Sequence, residues 1–155
     1  MKNTIKIILN LAFLTILISC KTVTAQEYFV NDFNISSEFN QSEIISKIGT
    51  PDSISEGGSE IVQEFGYNTY IYKYGASYID FKDESHAITS ITIKDTKLSI
   101  NGITVGASKS EVKSKFENHE EINDRLVVRF QDYAAISFVF DTNGLVSKIS
   151  YVVFT

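Results

Sequence analysis

The sequence predicts an α+β protein of two tandem repeats, each a short helix followed by a three-stranded antiparallel sheet. Two observations support this prediction. Residues 41–48 (QSEIISKI) align with residues 109–116 (KSEVKSKF). After each segment, the spacing of apolar residues changes from the helical period of 3.6 to the strand period of 2. We therefore divide the chain into a signal peptide (1–19), a tether (20–35), a first repeat (36–97) and a second repeat (98–155).

The N-terminal residues have the pattern of an export signal. Lys2 and Lys6 flank the start of an apolar run from Ile7 to Ile18, which only Asn10 and Thr15 interrupt. A membrane-spanning helix needs about 20 apolar residues, and this run is shorter. Loss of the two lysines on cleavage lowers the net charge from −5 to −7.

The end of the apolar run contains the only cysteine of the chain. The segment Leu17-Ile18-Ser19-Cys20 resembles the lipobox of bacterial lipoproteins, in which the cysteine becomes the lipidated first residue. We therefore expect Cys20 to anchor the protein to a membrane through lipid. The alternative is ordinary cleavage after Ala25, because Val23-Thr24-Ala25 satisfies the small-residue rule and would release a soluble periplasmic or secreted protein.

Each repeat is predicted to begin with a capped helix. Ser108 and Glu111 have the spacing of a capping box, and Asn40 and Glu43 have the same spacing in the first repeat. Gly49 is expected to end the first helix in a left-handed conformation.

The strands are predicted from apolar residues at alternating positions. The first repeat has such segments around residues 70–74, 79–81 and 91–93, and the second around 126–130, 134–140 and 145–154. Asn143-Gly144 predicts a type I′ hairpin turn, and residues 54–61 are expected to form an exposed loop. Because a unit of about 60 residues buries too little surface to be stable alone, we expect the two repeats to share a sheet or a core.

Several short motifs resemble those of known envelope proteins. Gly102-Ile103-Thr104-Val105-Gly106 followed by a capped helix, Gly49-Thr50-Pro51 after the first helix, and the strand Tyr70-Ile71-Tyr72 are similar to the SmpA/OmlA (BamE) family of small lipoproteins. The tandem arrangement, over residues 38–155, resembles the beta-lactamase-inhibitory-protein fold, in which two repeats form a concave protein-binding surface. This resemblance implies a non-catalytic adaptor.

The sequence contains no complete catalytic motif. Neither His86 nor His119 has a second histidine or cysteine at metal-ligand spacing, and the D-x-N-G segment at Asp141 lacks the remaining ligands of a calcium loop. We therefore expect no enzyme activity, no metal and no cofactor. The carboxylate pairs that an acid–base mechanism would use are Asp80 with Asp83 and Asp132 with Asp141.

Tyrosines are concentrated in one predicted strand. Tyr70, Tyr72 and Tyr74 share one face of it, and tyrosine is common both in recognition surfaces and in ordinary strands. We predict these three residues as partner contacts, with a place in the core as the alternative.

The functional prediction is an exported, lipid-anchored protein of the bacterial cell envelope, at the outer membrane, that binds an envelope protein without catalysis. The alternatives are a periplasmic small-ligand binder or hydrolase that uses carboxylates in a groove between the repeats, and a purely structural role beneath the outer membrane. Nucleic acid is excluded as a partner because the net charge of −5 opposes phosphate binding.

Overall fold

The structure is a computed structural model, and it describes residues 27–37, 40–57, 68–82, 87–130 and 133–154. In these ranges the chain forms two helices and ten strands. The helices are α1 (Gln41–Ile48) and α2 (Lys109–Lys115). The strands are β1 (Phe29–Val30), β2 (Phe33–Asn34), β3 (Ser53–Glu56), β4 (Thr69–Tyr74), β5 (Ser77–Lys82), β6 (Ile88–Ile93), β7 (Glu120–Ile122), β8 (Arg125–Phe130), β9 (Ala134–Phe140) and β10 (Val146–Val153).

The predicted fold class is wrong. The described residues form one eight-stranded antiparallel sheet, in the order β3-β4-β5-β6-β10-β9-β8-β7, together with the two-stranded sheet β1-β2. The described part of the chain is therefore mostly β, and its strands do not form two separate three-stranded sheets. The halves join where β6 pairs with β10, with Ile93 opposite Ile149 and Ile91 opposite Tyr151.

The prediction missed the strands at the two edges of the sheet. β3 (SISE) and β7 (EEI) are exposed along their whole length, so neither has the alternation of apolar and polar residues that reveals a half-buried strand. The loop predicted for residues 54–61 is wrong over Ile54–Glu56, which belong to β3. Residues 58–61 of that loop lie outside the described ranges.

Both helices begin where the capping residues predict. The Asn40 side chain accepts a hydrogen bond from the Glu43 amide at 3.0 Å. Ser108 and Glu111 form the complete capping box, in which the Ser108 amide donates to Glu111 Oε2 at 2.7 Å. Gly49 follows α1 with a positive φ of 111°, which favours glycine, but its ψ of 169° differs from the left-handed helical stop that was predicted.

The type I′ hairpin predicted at Asn143-Gly144 is wrong. Only Gly144 has a positive φ there, at 75°, and its amide donates to the Asp141 carbonyl at 3.0 Å. This combination is a tight turn followed by a left-handed glycine, and the Asp141 carboxylate supports it by accepting from the Asn143 and Leu145 amides. The I′ geometry occurs at Asn101-Gly102, where both residues have positive φ.

The packed region begins before the predicted first repeat. Tyr28, Val30, Phe33 and Ile35 are at most 4% exposed and belong to the single hydrophobic core, although the tether was predicted to extend to residue 35. This core fills the space between the inner face of the large sheet, the two helices and the β1-β2 hairpin. Its other members include Ile44, Phe116, Phe138 and Ile149.

Candidate functional site

The three predicted contact tyrosines lie on the inner face of β4. Tyr72 and Tyr74 are only 4% and 5% exposed, and Tyr70 is partly buried against the core. The Tyr72 ring packs edge-on against Phe81 at 4.8 Å, and the Tyr74 hydroxyl donates to the Gly49 carbonyl at 3.2 Å. Burial raises the pKa of Tyr74 above its usual value. In this structure a partner has little access to Tyr72 or Tyr74, and their role as contacts stays a prediction.

Several other predicted residues lie outside the described part of the chain. The structure therefore gives no contacts for the lipidation or cleavage sites or for two of the four predicted carboxylates. These residues are Cys20, Ala25, Asp83, His86 and Asp132.

The outer face of the sheet, opposite the helices, carries both arginines of the chain. Leu126 and Val128 on β8 are buried in the core, and alternation along a strand places Arg125, Val127 and Arg129 on the outer face. Both arginine side chains are more than half exposed.

These arginines line a shallow groove of about 250 Å³, which we call the β8 groove. Ile122 and Val152 are 43% exposed and Phe154 is 50% exposed, and all three line this groove, with Ile122 on β7 and Val152 on β10 at opposite corners of it. The groove is lined by Ile122, Arg125, Val127, Arg129, Ala135, Ser137, Ser150, Val152 and Phe154.

The floor of the β8 groove consists of small side chains. Strand register places Val127, Ser137, Ser150 and Thr92 in one row across four adjacent strands. The Ser137 Oγ is buried and has no hydrogen-bond partner among the described residues. A row of small residues allows another backbone or helix to approach the sheet closely.

Among the described residues, each arginine forms one loose ion pair. Arg125 Nε lies 3.7 Å from Asp124 Oδ1, and Arg129 Nε lies 3.5 Å from Glu120 Oε2. Exposed pairs with this geometry contribute at most about 1 kcal/mol. The two guanidinium groups are therefore easily redirected toward a carboxylate on a partner.

The outer face is basic although the chain is acidic. Strand register places five basic but only two acidic side chains on it, in a chain of net charge −5. The acidic residues of β7 divide accordingly, since Glu121 turns to the helix side and pairs with Lys109 at 2.6 Å. The basic residues are Lys73, Lys82, Arg125, Arg129 and Lys148, and the acidic ones are Asp80 and Glu120.

Asp80 is one of the four carboxylates that the hydrolase alternative would use, and it lies on the outer face of the sheet. It pairs with Ser90 on β6 and accepts a hydrogen bond from the Ser90 hydroxyl, while its Oδ1 has no partner among the described residues. Burial raises the pKa of Asp80, and the Ser90 hydrogen bond opposes that shift. Asp141, by contrast, supports its turn. Since Asp83 and Asp132 are not described, the convergence of the predicted pairs stays untested.

The described residues contain no group of three or more potential metal-ligating side chains. His119 contacts the Phe116 carbonyl through Nδ1 at 2.7 Å, beside the first residues of β7.

No protein-family model and no curated protein matches this chain. Among solved structures, it is similar to an extracellular protein containing an SCP domain from Bacillus anthracis str. Ames, with 12% sequence identity and a TM-score of 0.46. The match covers 74% of this chain and 43% of the other, so the chain spans less than half of that protein.

Sequence reasoning missed the two arginines, although a signal for them was present. Arg125 and Arg129 are four positions apart in a strand that was predicted, and the alternating Leu126 and Val128 identify the inner face. The arginines therefore had to face outward, in a molecule whose net charge is negative.

Proposed function

We propose that this protein is an exported, lipid-anchored component of the bacterial cell envelope that binds another protein through the β8 groove, without catalysis. The observation that carries the proposal is one groove lined both by three exposed apolar side chains, Ile122, Val152 and Phe154, and by the two arginines of a chain with net charge −5.

The composition of the groove supports a protein partner. Arginine is enriched in protein interfaces, and large apolar side chains provide the area that an interface buries. The small residues beneath them, Ser137 and Ser150, leave room for side chains of a partner. The inner face of the sheet is already covered by the helices, so the outer face is where a partner has access.

The export and anchoring parts of the proposal rest on the first 25 residues. The lipobox-like Leu17–Cys20 segment favours lipid attachment at Cys20, and cleavage after Ala25 is the competing outcome. Among the residues that the structure describes, no helix is long and apolar enough to cross a membrane. Mass spectrometry of the mature N-terminus distinguishes the two, because lipidation predicts an acylated Cys20 and a Cys20→Ser variant that leaves the membrane fraction. An unmodified N-terminus at Gln26 would contradict the anchor.

The binding surface is tested by photo-crosslinking in intact envelopes. A photoreactive amino acid is placed at Val152, in the groove, and at Ser46 on the exposed side of α1 as the matched control. The proposal predicts a discrete protein adduct from position 152 and none of the same mass from position 46. Identical adducts from both positions, or none from position 152, would refute the groove as a protein-binding site.

A further inference from the structure

We infer that the β8 groove binds an amphipathic helix of the partner, with an apolar face toward the sheet and acidic residues on both flanks. This inference rests on the proposed function and specifies the chemistry of the partner. Four features of the groove support it: its charge, its width, its floor, and the pairing of the backbone around it.

The charge of the groove requires an acidic partner. Arg125 and Arg129 face solvent on either side of Val127, and their ion pairs within the chain are 3.5 Å or longer. A partner carboxylate has room to form the shorter, two-pronged contact that guanidinium groups favour. Lys148 adds a further positive charge on the same face, two strands away from Arg125 in the same row as Val139.

The width of the groove fits a helix. Arg125 and Arg129 are four positions apart along β8, which corresponds to about 13 Å between their Cα atoms. An α-helix with its side chains is about 10–12 Å in diameter. A helix that crosses the strands between the two arginines therefore has one arginine at each flank.

The floor of the groove fits the apolar face of such a helix. Val127, Ser137 and Ser150 line the groove, and Thr92 continues the same row onto β6 beyond it. The whole row crosses four strands, or about 14 Å, which is the length of nine to ten helical residues. Val152 and Phe154 project along one side of this row and provide apolar contact area.

The backbone around the groove disfavours a partner that adds a strand. The groove lies on the face of a sheet whose strands β8, β9 and β10 are paired on both sides. The neighbouring edge strand β7 has only three residues, two of them glutamates, and charged short edges resist strand addition. A partner must therefore be recognised through side chains, as a helix in a groove is.

The test extends the Val152 crosslink by identifying the contacted peptide. In the full-length protein, the photoreactive group at position 152 is activated in whole envelopes, and the crosslinked peptide is sequenced by mass spectrometry. The inference predicts a segment of another protein with helical apolar periodicity and Asp or Glu on both flanks. A protein adduct without acidic flanking residues would refute the inference but leave the proposed function standing. Adducts formed with lipid alone, or no adduct, would refute both.

Charge reversal provides the second measurement. Replacing both arginines (Arg125→Glu with Arg129→Glu) should reduce the yield of the protein adduct at least tenfold. The matched control reverses two lysines on the helix side, Lys47→Glu with Lys113→Glu, and should leave the yield unchanged. Circular dichroism confirms that both double variants are folded. An equal loss in both would show that net charge alone, and not the groove, governs binding, and would overturn the inference.

Discussion

Asn101 ties the N-terminal hairpin to the rest of the fold, and its replacement measures how strongly. Its side-chain Oδ1 accepts a hydrogen bond from the Phe29 backbone amide at 2.7 Å, and its backbone amide donates to the Phe29 carbonyl at 2.9 Å. It also has φ 49°, within the left-handed region that most residues avoid. Asn101 thus has two separable roles: its side chain accepts a hydrogen bond, and asparagine tolerates this backbone conformation.

The expected loss for Asn101→Ala combines both roles. The left-handed conformation costs a residue with a Cβ about 1–2 kcal/mol, and the unpaired, partly buried Phe29 amide costs about 1–3 kcal/mol. We therefore expect Asn101→Ala to lower the free energy of unfolding by about 2–5 kcal/mol. Asn101→Gly tolerates the backbone conformation but loses the acceptor for the Phe29 amide and the long hydrogen bond to the Glu27 carbonyl (3.4 Å), and it should cost about 1–3 kcal/mol. Asn101→Asp keeps an acceptor oxygen and should cost less than about 1 kcal/mol.

Urea denaturation of the purified protein, followed by circular dichroism, provides the measurement. The order of stability should be wild type, Asp, Gly, Ala, with the dependence on urea concentration unchanged because the exposed surface is the same. Equal losses for Gly and Ala would refute the role of the backbone conformation. A Gly variant as stable as the wild type would refute the hydrogen bond to Phe29.

Three further predictions concern the core and two carboxylates. Phe116→Ala removes a fully buried ring and leaves a cavity, so it should lower the free energy of unfolding by about 3–5 kcal/mol. Phe116→Leu fills most of that cavity and should cost much less in the same urea experiment. Equal losses for the two variants would contradict this argument. Because burial raises the pKa of Asp80, this carboxyl group binds its proton more tightly in the folded protein than in the unfolded one, and stability should fall as pH rises through the folded pKa. Thermal melts over a pH series should show that Asp80→Asn removes this part of the pH dependence. An unchanged pH dependence would contradict the prediction. Hydrogen bonds from Lys109 and Lys113 lower the pKa of Glu121 to about 2, so ionised Glu121 should stabilise the folded protein above about pH 4.3, its ordinary pKa, and this stabilisation should be lost as pH falls toward 2. In an NMR titration, Lys109→Gln should raise the pKa of Glu121. An unchanged pKa would refute the contact between Lys109 and Glu121.

The elements with local chemical signals were predictable. The helix starts were readable because Asn40 and Ser108 satisfy backbone amides within the next three residues, and that chemistry does not depend on the rest of the fold. The inner strands were readable because one face of each is apolar. The edge strands β3 and β7 have no buried face, and they form only because a neighbouring strand supplies hydrogen-bond partners. Their pairing is a non-local property that no short window of sequence contains.

The same distinction explains the two hairpin turns. Asn-Gly occurs at residues 101–102 and at 143–144, and the dipeptide alone predicts a type I′ turn at both. At the second site Asp141 accepts from two amides of the loop and favours a turn in which only Gly144 has positive φ. Side-chain capping by a neighbouring aspartate therefore decided between two turns that the dipeptide leaves possible.

The location of the candidate site follows from how the two halves join. Because β6 pairs with β10, the chain forms one wide sheet, and both helices lie on the same side of it. That arrangement buries Tyr72 and Tyr74, which a sequence pattern cannot distinguish from an exposed tyrosine row. None of the described helices or strands covers the outer face of β8–β10. A binding surface was expected on aromatic residues, but the uncovered face exposes arginines and small residues instead, and a partner must match that chemistry.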